Sequence, residues 1–263
     1  MERENSYGEA SAGQCGSAFN VIPSHQLIVR ELSCQIGRAV LFKNISFSVL
    51  SGQCLEITGD NGAGKSTLLR AISGLSEPNE GDSRLVLNKD SESTDLRRVL
   101  YQGHAQGFKD QLSAYENLLW QAQLDSSAYT VAYPLEAAVE DALLTVDLNN
   151  RKHIAFGRLS AGQKRRCMLA RLAICKQTLS GIKLCWALDE PLTALDEQGQ
   201  ILLKELLIQH LNEGGSAVCC THQSLNLAGF KPLKSNHSSV LAALELNLSA
   251  AGQLLPSRAS TQR

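Results

Sequence analysis

Eight residues, Gly59-Asp-Asn-Gly-Ala-Gly-Lys-Ser66, constrain this 263-residue chain more than any other feature, because a phosphate loop works only between a strand and a helix. Both flanks have the required pattern. Cys54 to Thr58 is a short apolar run, and Leu68, Leu69, Ile72 and Leu75 keep helical spacing as far as the Gly74 region. The glycines let the backbone curl so that several N–H groups face one cluster of phosphate oxygens at a helix N-terminus. Gly59, Asp60, Asn61, Gly62, Ala63, Gly64, Lys65, Ser66 and Thr67 are therefore the candidate nucleotide-binding residues. Lys65 is expected to reach the β- and γ-phosphates, and the Ser66 hydroxyl to join a magnesium shell.

A second pattern supplies the acids. Leu184 to Leu188 are apolar and run straight into Asp189-Glu190, which puts two carboxylates at the C-terminal end of a buried strand, where open α/β sheets bind ligands. Asp189 is the candidate magnesium ligand, acting through water. Glu190, one residue on, is expected to point to the other side of an extended chain and to act as general base on the water that attacks the γ-phosphate. Leu159-Ser-Ala-Gly-Gln163 opens a helix: Ser160 is a good N-cap, and Met168, Leu169 and Leu172 follow at helical spacing. Such a start offers N–H groups and a dipole to an anion. Thr221-His222 closes an apolar strand-like run from Ala217.

Around these motifs the chain divides into three parts. Residues 1–25 are polar and rich in Gly and Ser, and are expected to be a flexible tail. Residues 26–230 hold the motifs. Leu27 to Val29 and Val40 to Phe42 flank a turn at Gly37, and Ile45 to Val49 alternates as a half-buried strand, so an antiparallel unit opens the fold. A mostly helical insert spans about 109–180, with helices expected over Ser113 to Gln123, Pro134 to Val146 and Ser160 to Cys175. Parallel strands return at Lys183 to Leu188 and Ala217 to Thr221, around the amphipathic stretch Gln200 to Leu211. Residues 231–263 form a C-terminal extension in which an amphipathic helix is expected near Val240 to Leu248.

Composition limits the function classes. A formal net charge of -1 gives no field that would draw the whole chain onto nucleic acid or anionic lipid. No apolar run reaches the roughly 18 residues that cross a bilayer, and the first twenty residues lack a signal peptide's apolar centre, so a cytosolic chain is expected. Eight cysteines without C-x-x-C spacing read as reduced core residues rather than a disulfide frame or metal site. Lys164-Arg165-Arg166 reads as the solvated face of the helix after Ser160.

In their order, Gly59 to Ser66, Leu159 to Gln163, Leu188-Asp-Glu-Pro191, Ala194-Leu-Asp196 and His222 resemble the nucleotide-binding domain of ABC transporters, over about residues 26–223. The resemblance implies an α/β fold, a P-loop NTPase with a RecA-like core, an antiparallel β subdomain and a helical signature subdomain. It implies ATP and Mg2+ as cofactors. It also implies a homodimer in which Ser160, Gly162 and Gln163 grip the γ-phosphate held by the partner, Asp196 lies in the D-loop across the interface, and His222 is the γ-phosphate switch. Where the family carries an aromatic to stack on adenine, this chain offers Ile36, and where it carries the Q-loop glutamine, Gln102, His104 and Gln106 all compete.

Within the family the chain is most similar to the CcmA-type ATPases of cytochrome c maturation. Leu32-Ser-Cys34, Tyr101-x-Gly-His104, Gly157-Arg-Leu-Ser-Ala-Gly-Gln-Lys-Arg-Arg166, Trp186-x-Leu-Asp-Glu-Pro and Thr221-His-Gln223 carry that likeness. It implies a membrane-spanning CcmB-type partner with CcmC-type proteins nearby, no nucleic acid, membrane contact through partners alone, and a place on the cytoplasmic face of the inner membrane. Another ABC transporter, a soluble ABC ATPase acting on nucleic acid or ribosomes, and a nucleotide-binding regulator without turnover are the competing classes. Retention of Lys65, Asp189, Glu190 and His222 counts against the last.

Overall fold

The computed structural model describes residues 25–87, 99–103, 107–125, 134–175, 185–227, 242–248 and 254–255. Strands β1 (His25–Ile36) and β2 (Ala39–Leu50) form the expected hairpin, closing at Ile36 opposite Ala39. A strand the sequence pattern did not announce, β4 (Glu80–Leu87), pairs antiparallel on the other side of β1 and completes a three-stranded sheet.

The second sheet runs β5-β6-β7-β3-β8-β9, where β3 is Gln53–Gly59, β5 Val99–Gln102, β6 Cys185–Asp189, β7 Ser216–Cys220, β8 Ala242–Leu248 and β9 Leu254–Leu255. All its pairings are parallel except β8 with β9. Both faces of a parallel sheet must be covered, and the side chains divide accordingly. On β6, Cys185 and Ala187 join one core while Trp186 and Leu188 join the other; on β7, Val218 and Cys220 oppose Ala217 and Cys219. The first core is closed by the antiparallel sheet and α1 (Lys65–Ile72). The second is closed by α2 (Ala114–Asp125), α3 (Leu135–Thr145), α4 (Ala161–Cys175) and α5 (Glu197–Asn212).

Trp186 is the largest side chain fully buried there, and it stacks on His210 at 3.8 Å with the rings 6° from parallel. Truncating such a residue to alanine costs about 3–5 kcal/mol. Six cysteines, Cys34, Cys54, Cys167, Cys185, Cys219 and Cys220, are buried and unbridged, as their apolar surroundings in the sequence suggested.

One expected element is of the wrong type. The stretch near Val240 to Leu248 is not a helix: Ala242–Leu248 is a strand whose residues pair in parallel register with Gln53 to Gly59. Leu244-Glu-Leu-Asn-Leu248 alternates with the period of a strand, and the free edge of β3 supplies a hydrogen-bonding partner that a local reading cannot see. The strand that enters the glycine loop is thereby paired on both sides.

Candidate active site

The carboxyl ends of β3, β5, β6 and β7 lie at one edge of the parallel sheet, and every acid, base and glycine singled out in residues 59–67, 189–190 and 222 lies at or just after one of those ends. β3 finishes at Gly59, and α1 starts six residues later. Gly64 caps that helix with φ 91°, and a Cβ there would stand 3.0 Å from Phe42 Cδ1 and 3.1 Å from Leu41 Cβ, so the position requires glycine on both counts.

The start of α1 differs from those of α2 and α5. It has neither a side-chain cap nor an acid in its first turn, whereas Asp196 caps α5 with Glu197 behind it and Glu116 stands in the first turn of α2. The unpaired N–H groups and positive dipole end of α1 are left for an anion. Asp60, Asn61, Gly62 and Ser66 around it are exposed, Thr67 half-buried and Ala63 buried. Lys65 is buried, its ammonium donating to the carbonyls of Gly59 at 2.7 Å and Asp60 at 2.8 Å, so the charge lies against the loop backbone.

Asp189 ends β6 with only 6% of its surface exposed. Glu190 does not continue the strand. Its φ is 48°, in the left-handed region, so its side chain is aimed by a turn and not by the pleat of an extended chain as the sequence suggested. Two backbone bonds hold that turn: the Glu190 N–H donates to Cys220 O at 2.8 Å, and the Thr193 N–H donates to Glu190 O at 3.1 Å. A non-glycine residue held this way stores about 1–3 kcal/mol of strain, a feature that clusters at functional sites.

The Glu190 carboxylate is gripped at both oxygens. His222 Nε2 lies 3.0 Å from Oε1, and the Thr193 hydroxyl donates to Oε2 at 3.1 Å. His222 reaches it because the Thr221 N–H donates to Ile57 O at 3.1 Å, which extends the sheet register one residue past β7. The sequence assigns Thr193 no role; its local signal is its place three residues after Glu190, where a turn returns the chain. Below the site, burial and then the negative charge of Asp189 push the Cys220 thiol up, so it stays protonated and unreactive at neutral pH.

Of the three Q-loop candidates, His104 and Gln106 lie outside the described residues. Gln102 is the last residue of β5, paired opposite Leu188, and is nine-tenths buried; its Oε1 has no hydrogen-bond partner among the described residues. It lines one small cavity with Arg165, Asp189 and Pro191. Ile36 stands 64% exposed at the tip of the β1–β2 hairpin.

Leu159-Ser-Ala-Gly-Gln163 is a reciprocal cap: the Ser160 N–H donates to Gln163 Oε1 at 3.0 Å, and the Gln163 N–H donates to Ser160 Oγ at 3.2 Å. Among the described residues, no hydrogen bond or ion pair joins Ser160, Gly162 or Gln163 to the glycine loop, Glu190 or His222. Gly162 has nothing within 4 Å of where a Cβ would sit. The basic run after it is not a solvated face. Lys164 lies 3.9 Å from the Asp110 carboxylate and 5.3 Å over the Phe156 ring, Arg165 donates to Met168 Sδ, and Arg166 turns toward Asp196.

The ABC transporter family model matches residues 42–193, which span the glycine loop, the Ser160 cap and Glu190. The chain belongs to that family, and it is an ATP-hydrolysing subunit of the ABC type. Its relatives include proteins named cytochrome c biogenesis ATP-binding export protein CcmA. The one from Aliivibrio fischeri is 42% identical over 204 residues, 76% of this chain and 93% of the relative; the one from Idiomarina loihiensis is 40% identical over 219 residues, 79% and 90%. Among solved structures, an ATP-binding subunit of an ABC transporter superposes with TM-score 0.60 at 24% identity, over 74% of this chain and 79% of that one. A dimeric post-hydrolysis ATP-binding cassette with ADP and phosphate superposes with TM-score 0.64 at 21% identity, over 87% and 96%. Those likenesses bear out the P-loop α/β fold.

Proposed function

We propose that two copies of this chain close head to tail around two ATP molecules, each triphosphate lying between the glycine loop of one protomer and the Ser160 cap of the other. The observation that carries this reading is Gly162. A glycine inside a helix costs about 1 kcal/mol against alanine, and nothing within the protomer approaches it closely enough to require one. An approaching phosphate from a partner does. On this reading residues 26–230 are the ATP-binding unit and about 109–180 its signature subdomain.

The residues present fit a magnesium ion. Asp189 is a buried carboxylate at a strand end, Gln102, whose carboxamide oxygen has no hydrogen-bond partner among the described residues, lines the same cavity, and the Ser66 hydroxyl is exposed at the start of α1. Among the described residues no three His, Cys, Asp or Glu side chains cluster as a ligand set, which suits an ion held largely by phosphate and water. Asp189, Gln102 and Ser66 would hold the ion, which would supply positive charge against the phosphates. Lys65 shifts from the loop carbonyls to phosphate oxygens, Glu190 takes a proton from the attacking water, and His222, already in contact with Glu190, orients the γ-phosphate.

On this reading the cycle serves haem export for cytochrome c maturation, with the chain seated on a CcmB-type membrane subunit, CcmC-type proteins nearby, at the cytoplasmic face of the inner membrane; relatives named for cytochrome c biogenesis and export support it. No helix among the described residues is long and apolar enough to cross a membrane. A cavity of about 250 Å³ lies between α2, α4 and the end of β5, with Trp120 and Leu124 40% and 57% exposed on its rim.

Glu190→Gln tests the dimer. With ATP and magnesium it should form a nucleotide-containing dimer by light scattering, and wild-type hydrolysis per molecule should fall on dilution. A monomeric variant, with hydrolysis unchanged by dilution, overturns the composite site. The cellular role is tested separately, by asking whether the chain restores haem-stained cytochrome c in bacteria lacking their own CcmA.

A further inference from the structure

Arg166 is the member of the basic run that reaches the end of α3 and the start of α5. Its guanidinium donates to Asp196 Oδ2 at 3.4 Å and to Gln198 Oε1 at 3.2 Å, and on its other side to the Val146 carbonyl at 3.5 Å. The Asp147 carboxylate lies 3.5 Å away but is 91% exposed, so that pair contributes little. The Arg166 side chain itself is 19% exposed. Its planar fork therefore bridges the first turns of α4, the end of α3 and the loop that enters α5.

Asp196 is where these contacts matter. Its second oxygen, Oδ1, accepts the Gly199 N–H at 2.8 Å and caps α5, so one carboxylate is shared between a helix cap and a cation from another helix. The Gly199 N–H, followed by the Arg166 charge, holds the Asp196 carboxyl below the usual carboxylate range. Upstream, the loop runs back from Asp196 through Ala194, at φ 58°, and Thr193 to Glu190, with turn bonds from Leu195 N–H to Leu192 O and from Thr193 N–H to Glu190 O. Thr193 also holds the Glu190 carboxylate. A short, internally bonded loop thus joins the candidate base to the carboxylate that Arg166 grips.

We infer that Arg166 is a positioning residue: it fixes the 190–196 loop against the start of α4, so that the base and the partner-facing cap of one protomer keep a single relative geometry as two protomers close. The inference rests on the proposed dimer. Lysine cannot reproduce it fully, because a point charge cannot meet carboxylate, carboxamide and carbonyl from one plane.

Arg166→Ala, Arg166→Lys, Asp196→Asn and the Arg166→Ala/Asp196→Asn pair test it, each alone and with Glu190→Gln. Asp196→Asn keeps an acceptor for the Gly199 N–H and removes the charge that Arg166 meets. Arg166→Ala should leave the melting midpoint and nucleotide affinity nearly unchanged, while kcat and nucleotide-trapped dimer formation each fall by roughly tenfold. Arg166→Lys should recover part of both, and the pair should be no worse than Arg166→Ala alone, because both changes remove one interaction. Wild-type kcat in Arg166→Ala, a kcat loss matched by loss of folded protein, or additive losses in the pair overturn the role. If Glu190→Gln with Arg166 intact forms no dimer, the composite site falls instead, and non-additivity in kcat still decides whether Arg166 acts through Asp196.

Discussion

Two helices begin with the same device, and only one of them is covered by its own protomer. In Ser113-Ala-Tyr-Glu116, Glu116 Oε2 accepts both the N–H and the hydroxyl of Ser113 at 2.8 Å, and the Glu116 N–H donates to Ser113 Oγ at 3.1 Å. In Ser160-Ala-Gly-Gln163 the bonds run between the same positions. The difference lies in what surrounds them. Ser113 is buried, the Ala114 and Tyr115 N–H groups donate to the carbonyls of Ile154 and Lys152, and the Asn117 carboxamide donates to the carbonyls of Lys109, Leu112 and Ser113. Ser160 and Ala161 are exposed, and the N–H groups of Ala161 and Gly162 have no partner among the described residues. The third position is Tyr115 in one box and Gly162 in the other. One box covers a helix start inside the protomer; the other holds a helix start open for something outside it.

Exchanging the third residue breaks the comparison most strongly. Gly162→Tyr should cut ATP hydrolysis by roughly a hundredfold, the scale of losing a donor aimed at a transition-state oxygen. Because the site is open, melting should not suffer, and leaving glycine should favour the helix by about 0.5 kcal/mol. Hydrolysis near the wild-type rate would mean that nothing docks there. The fourth residue sharpens it next. Gln163→Glu makes the open box a chemical copy of the covered one, and a carboxylate at a helix start is worth about 0.3–1 kcal/mol. The same charge repels phosphate, so hydrolysis should drop by about tenfold while melting holds or rises. Equal activity in the glutamate variant would place the γ-phosphate elsewhere.

The Ser160 cap and its glycine were legible in the sequence because their information is local, both falling within three positions; the reciprocal bond to Gln163 is a finding of the structure. The glycine loop and Asp189-Glu190 were legible for the same reason, since each is a short pattern at the end of an apolar run. What escaped the reading is long-range or conformational. Strand β8 exists because β3 offers it an edge, and that edge lies almost two hundred residues earlier. The partnership of Arg166 with Asp196 spans 30 positions and has no periodicity to betray it, which is why three adjacent basic residues read as a solvated face. Glu190 leaves the strand because the Cys220 carbonyl and the Thr193 turn capture it, and neither is visible from an apolar run ending in two acids. The contact between Glu190 and His222 follows from that capture.

The smallest test uses acidity, which only one of the two boxes possesses. The Ser113 N–H, and after it the Ser113 hydroxyl, hold the Glu116 carboxyl below its ordinary value of 4.5. A carboxyl whose folded value is depressed adds stability above its unfolded value, and that stability disappears as the pH falls through the folded value. Glu116→Gln keeps one acceptor oxygen but cannot titrate. The wild type should therefore melt above Glu116→Gln at neutral pH, and the gap should narrow once the pH drops below 4.5 and close as the pH falls through the lowered folded value. Comparing the two proteins at each pH cancels the acid loss of every other group. Gln163 has no proton to gain, so wild type and Gln163→Ala should keep a pH-independent gap over the same range. A constant gap for Glu116→Gln would show that its carboxylate is no better bonded folded than unfolded, and the covered box would then owe its order to Asn117 and the buried Ser113 rather than to charge.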